Sequence, residues 1–372
     1  MVVGGTMAKE RITVYTENPE DELWKKLLQY SYKARVQRYF SNNGINTHGK
    51  EDALCETIIG SLLQANEYYS LSQKATLHTA PLLLYYGTVN LFLAASTLLS
   101  GEPLDIESHG MKALPEKASS EIGKTKIHFV SPNNGGINVF NQKIEADGLS
   151  LTDLDDLCIK EILLSIPEIN LEAVQCYGED ENYCIPLETV LTEDGNLERV
   201  SIGRTSRENV LDQLSRVPNF TKSYLNPSIS EQDGMTIAVL RHKYLQDPIH
   251  YTSITGQSFL LAGHRNRNKD IILPQWIYMY VALFGMASLC RYSPQIWNPF
   301  VRLDERGEKL LVEKFLEISR RILPNIVLSI IEKCEYSFEN KKYEPENQIK
   351  VLGEHEIKDL IQAEIQRKEA KR

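Results

Sequence analysis

Proton transfer and phosphate binding both need histidine, arginine and lysine side chains held close together, and one stretch gathers them: Gly263-His264-Arg265-Asn266-Arg267-Asn268-Lys269. It stands just before an apolar helix predicted to begin at Pro274. Cations beside the free N–H groups of a helix N-terminus make an anion or phosphate site, so His264, Arg265, Arg267 and Lys269 are candidate phosphate ligands. The competing reading is a solvated loop. A second group, Arg291-Tyr292-Ser293-Pro294-Gln295-Ile296-Trp297, closes the same helix. Arg291 suits the negative end of the helix dipole, and Pro294 with Trp297 would pack the exit. Structural duty therefore competes here with a binding role for Arg291, Tyr292 and Trp297. At 1.5 Å per residue the two groups lie about 25 Å apart, too far to share one small site on that helix alone.

Two more histidines are candidates for proton transfer. His109-Gly110 falls in a loop after the first helical stretch, where an imidazole that titrates near neutral pH can act as a general base. Arg241-His242 falls at a predicted strand end. Neither histidine has a partner visible in the sequence, and a loop histidine without one is more often plain surface. Asn90, inside an uncharged helix, reads more readily as a satisfied core amide than as a ligand.

Sharper signatures are missing. There is no G-x-x-x-x-G-K-[ST] loop, no G-x-G-x-x-G after a strand, no H-E-x-x-H and no G-x-S-x-G elbow. The eight histidines form no pair at helical ligand spacing with a carboxylate, and the six cysteines form no C-x-x-C pair. No metal or cofactor is expected, and the cysteines read as reduced core thiols. A net charge of −9 argues against a protein that coats nucleic acid, which needs clustered Lys and Arg to release counterions. RNA or a nucleotide held at one local basic patch stays open as a partner.

The elements that must position these residues fall into blocks. Asn18 and Pro19 start a helix predicted over 19–40; another covers 51–71, and a third 80–99 ends at Gly101 and Pro103. The third carries no charge from Ala80 to Leu99, the length of a membrane span. Its Pro81, Tyr85, Tyr86, Gly87, Thr88, Asn90, Ser96 and Thr97 make it a buried central helix instead. From 124 to 146 two strand-like runs flank Ser131-Pro132-Asn133-Asn134-Gly135-Gly136, which reads as a hairpin. A helix over 152–165 and strands over 172–177, 183–192, 197–202 and 235–241 follow. Helical spacing returns at Pro274, and again over 304–334, where Pro324 is expected to bend the chain.

The prediction is an α+β fold: a mostly helical core from N- and C-terminal blocks (1–114 and 263–340) around a β-rich middle (115–262), with a charged terminal helix or tail (341–372). The two apolar helices serve as interior pillars, brought together across the β layer. Met1 to Ala8 lacks the apolar core of a secretory signal, so a cytoplasmic location is expected, without a membrane. Ile357, Leu360, Ile361 and Ile365 form a stripe on which a protein partner or a second copy could assemble.

The run Pro81-Leu82-Leu83-Leu84-Tyr85-Tyr86-Gly87-Thr88-Val89-Asn90-Leu91, with His109-Gly110, Leu273-Pro274 and Arg291 to Trp297, resembles the YaaC-like family of bacterial proteins over residues 20 to 335. That family has no established reaction, so the resemblance assigns no role to a residue. The Tyr-Tyr-x-x-x-Asn helix also resembles HEPN-type helical domains, which occur in prokaryotic RNases and in antiviral or toxin systems. Active members carry an arginine and a histidine separated by four to six residues. No histidine here has an arginine that far upstream, the nearest case being Arg241 with His250, so the resemblance implies a degenerate, non-catalytic relative. Two functions are therefore expected in turn. The first is a non-enzymatic or partner-dependent cytoplasmic module in stress response or phage defence. The second is an RNA- or nucleotide-directed enzyme using the basic stretch and His109 or His242.

Overall fold

Leu23, Trp24 and Leu27, and then Leu54, Ile58, Leu62, Ala65 and Tyr69, recur at helical spacing, and each set becomes one buried helix face. The computed structural model describes residues 11–116, 121–130, 134–145, 150–178, 182–191, 197–232, 235–241, 251–266 and 269–339. After strand β1 (Arg11–Tyr15), helix α1 (Pro19–Leu27) starts as expected, with Asn18 accepting the Asp21 N–H at 3.3 Å. It stops earlier than predicted. A 3-10 turn over Leu28–Ser31 and an extended Tyr32 separate it from α2 (Lys33–Asn42), and the turn holds Tyr30 inward, its hydroxyl donating to Glu332 at 2.5 Å. Helix α3 (Glu51–Lys74) and the uncharged α4 (Ala80–Ser100) form a tight pair. They touch at Gly87, where a Cβ would come 2.8 Å from the Tyr69 ring. Gly101, with φ of 66°, ends α4 in the left-handed conformation that glycine adopts freely.

The segment from 111 to 177 joins this helical body. Strand β2 (Met111–Leu114) pairs with β3 (Lys126–Phe129). The predicted hairpin then fails on its second arm. Residues Gly136–Ile144 form helix α5, because Ile137, Phe140 and Ile144 repeat at three and four residues and Ile137 and Phe140 point into the core. Strand β4 (Leu157–Cys158) pairs with the far edge of β3 and leads into α6 (Ile159–Leu164), shorter than predicted. The segment read as a strand at 172–177 is the end of helix α7 (Asn170–Tyr177). Ile169 and Ala173, one turn apart, are both fully buried, and α7 packs on the last long helix.

Strands β5 (Cys184–Leu191) and β6 (Leu197–Gly203) form where predicted. Helices α8 (Arg207–Ser215) and α9 (Phe220–Ser223) follow, unforeseen, and then β7 (Ser228–Gln232), the predicted β8 (Met235–Leu240), β9 (Tyr251–Thr252) and β10 (Ser258–Leu261). The sheet runs β7-β8-β6-β5-β10-β9 and is antiparallel throughout. It has its own apolar core, in which Leu187, Leu214, Phe220, Leu240 and Leu260 meet, separate from the main one.

The basic stretch comes next and is not a loop. His264–Asn266 and Lys269–Ile271 are strands β11 and β12 of a small hairpin. Helix α10 (Gln275–Tyr292) is buried on nearly every side. Helix α11 (Pro294–Leu303) precedes α12 (Glu308–Glu332), which runs on through Pro324, and β13 (Glu335–Glu339) returns to pair in parallel with β1. The result is an α+β protein with a helical core. Its two apolar helices meet directly: Phe92 lies 4.9 Å from Trp276 and 5.9 Å from Tyr280, and Tyr85 lies 5.5 Å from Tyr280, centroid to centroid. No β layer separates these rings, contrary to the expected arrangement. Each such buried aromatic contributes about 1.5–3 kcal/mol. Helix α4 is long and apolar enough to cross a membrane, yet α3, α5, α10 and α12 pack around it.

Candidate functional site

The first turns of α4, the last turn of α10 and the entry to β2 converge on one cleft of about 260 Å³. Helix α4 brings Tyr85 and Tyr86, α10 brings Arg291 and Tyr292, and the β2 segment brings His109 and Lys112. Two groups that the sequence offered as separate candidates, His109 and Arg291-Tyr292, thus share one wall.

His109 is placed by backbone geometry. The carbonyls of Ser108 and His109 accept the first free N–H groups of α5, from Gly136 at 2.8 Å and Ile137 at 3.4 Å. Gly110 then turns the chain at φ of 74°, and its Cα is so close to Gly135 that a Cβ on Gly135 would lie 2.4 Å from it. The imidazole is half-buried and its Nδ1 lies 2.9 Å from the Tyr85 hydroxyl. Burial lowers its pKa below the ordinary value, and the nearby Arg291 charge lowers it further. The ring is therefore neutral at pH 7. Burial pushes the Tyr85 hydroxyl well above its ordinary range, so it keeps its proton. No described residue bonds Nε2, the second nitrogen of the His109 ring.

Arg291 donates from Nη1 to the Tyr86 hydroxyl at 2.8 Å, and its guanidinium lies 5.0 Å from the Tyr292 ring centroid. Its place in the last turn of α10 suits the helix dipole, as the sequence suggested. Tyr292 is 68% exposed, which leaves its ring available to a ligand. Phe284 closes the floor. Among the described residues no carboxylate lines this cleft, and neither Arg291 nor Lys112 makes an ion pair. In a chain of net charge −9, that is a local reversal of sign. Aromatic faces, two cations and a neutral imidazole together suit a planar molecule that carries negative charge.

The other candidates lie elsewhere. His264 is 5% exposed; its Nε2 is 2.8 Å from Ser165 Oγ and its ring stacks on Tyr183 at 4.1 Å. Burial, with Arg216 nearby, drives its pKa down to about 3. A neutral, enclosed ring of this kind is a seam residue and not a phosphate ligand at a helix N-terminus. Arg265 and Lys269 contribute backbone to β11 and β12, while Arg267 and His242 fall outside the described residues. Trp297 is buried and donates Nε1–H to the Leu77 carbonyl at 3.0 Å, which locks the α3–α4 turn. Its role is packing, the competing reading given above. Asn90 donates to the Tyr86 carbonyl within its own helix. The stripe from Ile357 to Ile365 also lies outside the described residues. Tyr85, Tyr86 and Lys112 were missed as site residues; their one signal was an uncharged helix carrying two adjacent tyrosines.

A family model described as YaaC-like Protein matches residues 27–331. No curated protein and no solved structure matches the chain. These comparisons lend no support to a HEPN-type character.

Proposed function

The chain belongs to the YaaC-like family, and for it we propose that the Tyr85–His109–Arg291 cleft binds a nucleotide, one planar base with its phosphate. The observation that carries this reading is the lining: tyrosine faces and cations that, among the described residues, have no ion-pair partner and no carboxylate beside them to repel an anion. The base stacks against Tyr292 and Tyr86, and the phosphate takes Arg291 and Lys112. Stacking on aromatic side chains is worth about 1–3 kcal/mol per base, and a hydrogen bond to a charged group about 1.5–3 kcal/mol. The binding reading takes precedence over a purely partner-dependent module because it rests on described side chains.

A second reading has a specific observation behind it. His109 is neutral, oriented through Nδ1 by a third group and open at Nε2, which is the arrangement of a general base. In that reading the protein turns over the nucleotide or RNA end that it binds.

Calorimetry with nucleoside monophosphates tests both. The wild-type chain binds at least one of them, and Arg291→Ala weakens binding at least about tenfold, or about 1.4 kcal/mol. If no monophosphate binds, or if folded Arg291→Ala binds as tightly, the reading fails. Product formation that stops in His109→Ala would select the enzyme reading over binding alone.

A further inference from the structure

A second cleft, of about 140 Å³, opens where the helical body meets the six-stranded sheet. It is unrelated to the tyrosine-lined one. Its most unusual group is Arg216, just after α8, with a side chain only 9% exposed. Among the described residues its one counter-charge is Asp212, 46% exposed, whose Oδ2 stands 3.4 Å from Nε without the alignment of a hydrogen bond. The guanidinium lies 5.2 Å from the Tyr183 centroid, and Tyr183 stacks on the neutral His264. A guanidinium carries five N–H donors, and a buried charge without acceptors is costly. An acceptor that fits the planar fork is a carboxylate or phosphate.

The carboxylates that line the same cleft decide between these two. They are Asp155, Asp156, which also bonds His128 Nδ1 at 2.8 Å, and Glu161, and the apolar Leu157, Ile271 and Leu273 line the cleft beside them. Their carboxylates oppose a dianion such as phosphate and favour a ligand that brings its own cation. The space is close to the ~150 Å³ cavity that takes a benzene-sized molecule. We propose that this cleft binds a free α-amino acid, its carboxylate on Arg216 and its ammonium on the Asp155–Asp156–Glu161 wall.

Calorimetry on the full chain separates the two halves of this recognition. The probes are the free α-amino acids, their des-amino acids and the corresponding amines. At least one amino acid is expected to bind, with its des-amino acid and its amine each at least tenfold weaker. Arg216→Gln should abolish binding. Because that variant could loosen the seam, Glu161→Gln supplies an independent readout: its amide oxygen can keep the cap on the Cys158 N–H that Glu161 makes at 2.8 Å. It should weaken the amino acid at least tenfold and leave the des-amino acid unchanged, with the circular dichroism of the wild type. Nucleoside monophosphates should not displace the bound amino acid, which separates this site from the nucleotide cleft. The proposal is overturned if no amino acid binds at millimolar concentration, if the des-amino acid binds as tightly, or if Glu161→Gln binds like the wild type.

Discussion

Arg291 and His109 owe their chemistry to two tyrosine hydroxyls. Tyr86 OH takes one donor of the guanidinium and leaves the rest for a ligand, and Tyr85 OH sets the proton on the imidazole. With Nδ1–H donating to the Tyr85 oxygen, the neutral ring keeps its lone pair on Nε2, as a general base requires. Tyr85→Phe removes that acceptor, so the pKa of His109 should fall further below its ordinary value, followed by NMR of the ring protons. A rise instead would mean that Tyr85 donates to Nδ1 and that the ring holds the other tautomer, with its proton on Nε2. The loss of one hydrogen bond should also cost about 1 kcal/mol of stability. None of this was legible in the sequence. Tyr85 and His109 are 24 residues apart, and Arg291 and Tyr86 205 apart. Periodicity identifies the helix that carries a residue but not the loop that it faces. His109 and Arg291 could be singled out by type, not as neighbours.

At the level of elements, helix positions were largely legible and their edges were not. Helices α4 and α10 announced themselves because their apolar character is local and continuous. The hairpin expected over 124–146 failed because Gly135-Gly136 serves a different end, letting the His109 loop lie against the start of α5. That contact carries a prediction. In Gly135→Ala the new Cβ meets the Gly110 backbone at 2.4 Å, which no side-chain rotation relieves. A cost of about 1–3 kcal/mol is expected, together with weaker nucleotide binding as His109 shifts. Gly60, inside α3, has open space around it. Gly60→Ala should therefore stabilise the chain by about 0.5–1 kcal/mol and leave binding alone. Thermal midpoints measure both, and equal shifts for the two variants would contradict the close-contact account.

Across the whole molecule two apolar cores meet at a seam that holds buried ionisable groups. His264 is the larger lever. Its pKa falls from 6.5 to about 3 on folding, so its contribution to stability is fully present above about 6.5 and is lost as pH falls toward 3. At about 1.4 kcal/mol per unit, that is on the order of 4–5 kcal/mol, a large part of a typical net stability of about 5–15 kcal/mol. Glu168 acts in the opposite sense. Burial raises its pKa to about 6, so its contribution is present below 4.5 and is lost as pH rises through 6. The seam should thus weaken on acidification between pH 6.5 and 4, and His264→Gln should flatten that decline in urea midpoints. A wild-type midpoint independent of pH over this range would exclude a neutral, enclosed His264. The sequence marked His264 by its basic neighbours. What it could not show is that the ring turns inward against Ser165 and Tyr183, more than eighty residues away along the chain.

The central claim is a location: a planar anion seated where α4, α10 and β2 converge. A crystal structure of the full chain with the tightest-binding nucleoside monophosphate tests it most directly. The account predicts density for the base against Tyr292 and Tyr86, with the phosphate in hydrogen-bond contact with Arg291. A nucleotide bound at Arg216, or on any surface away from His109 and Arg291, would contradict it.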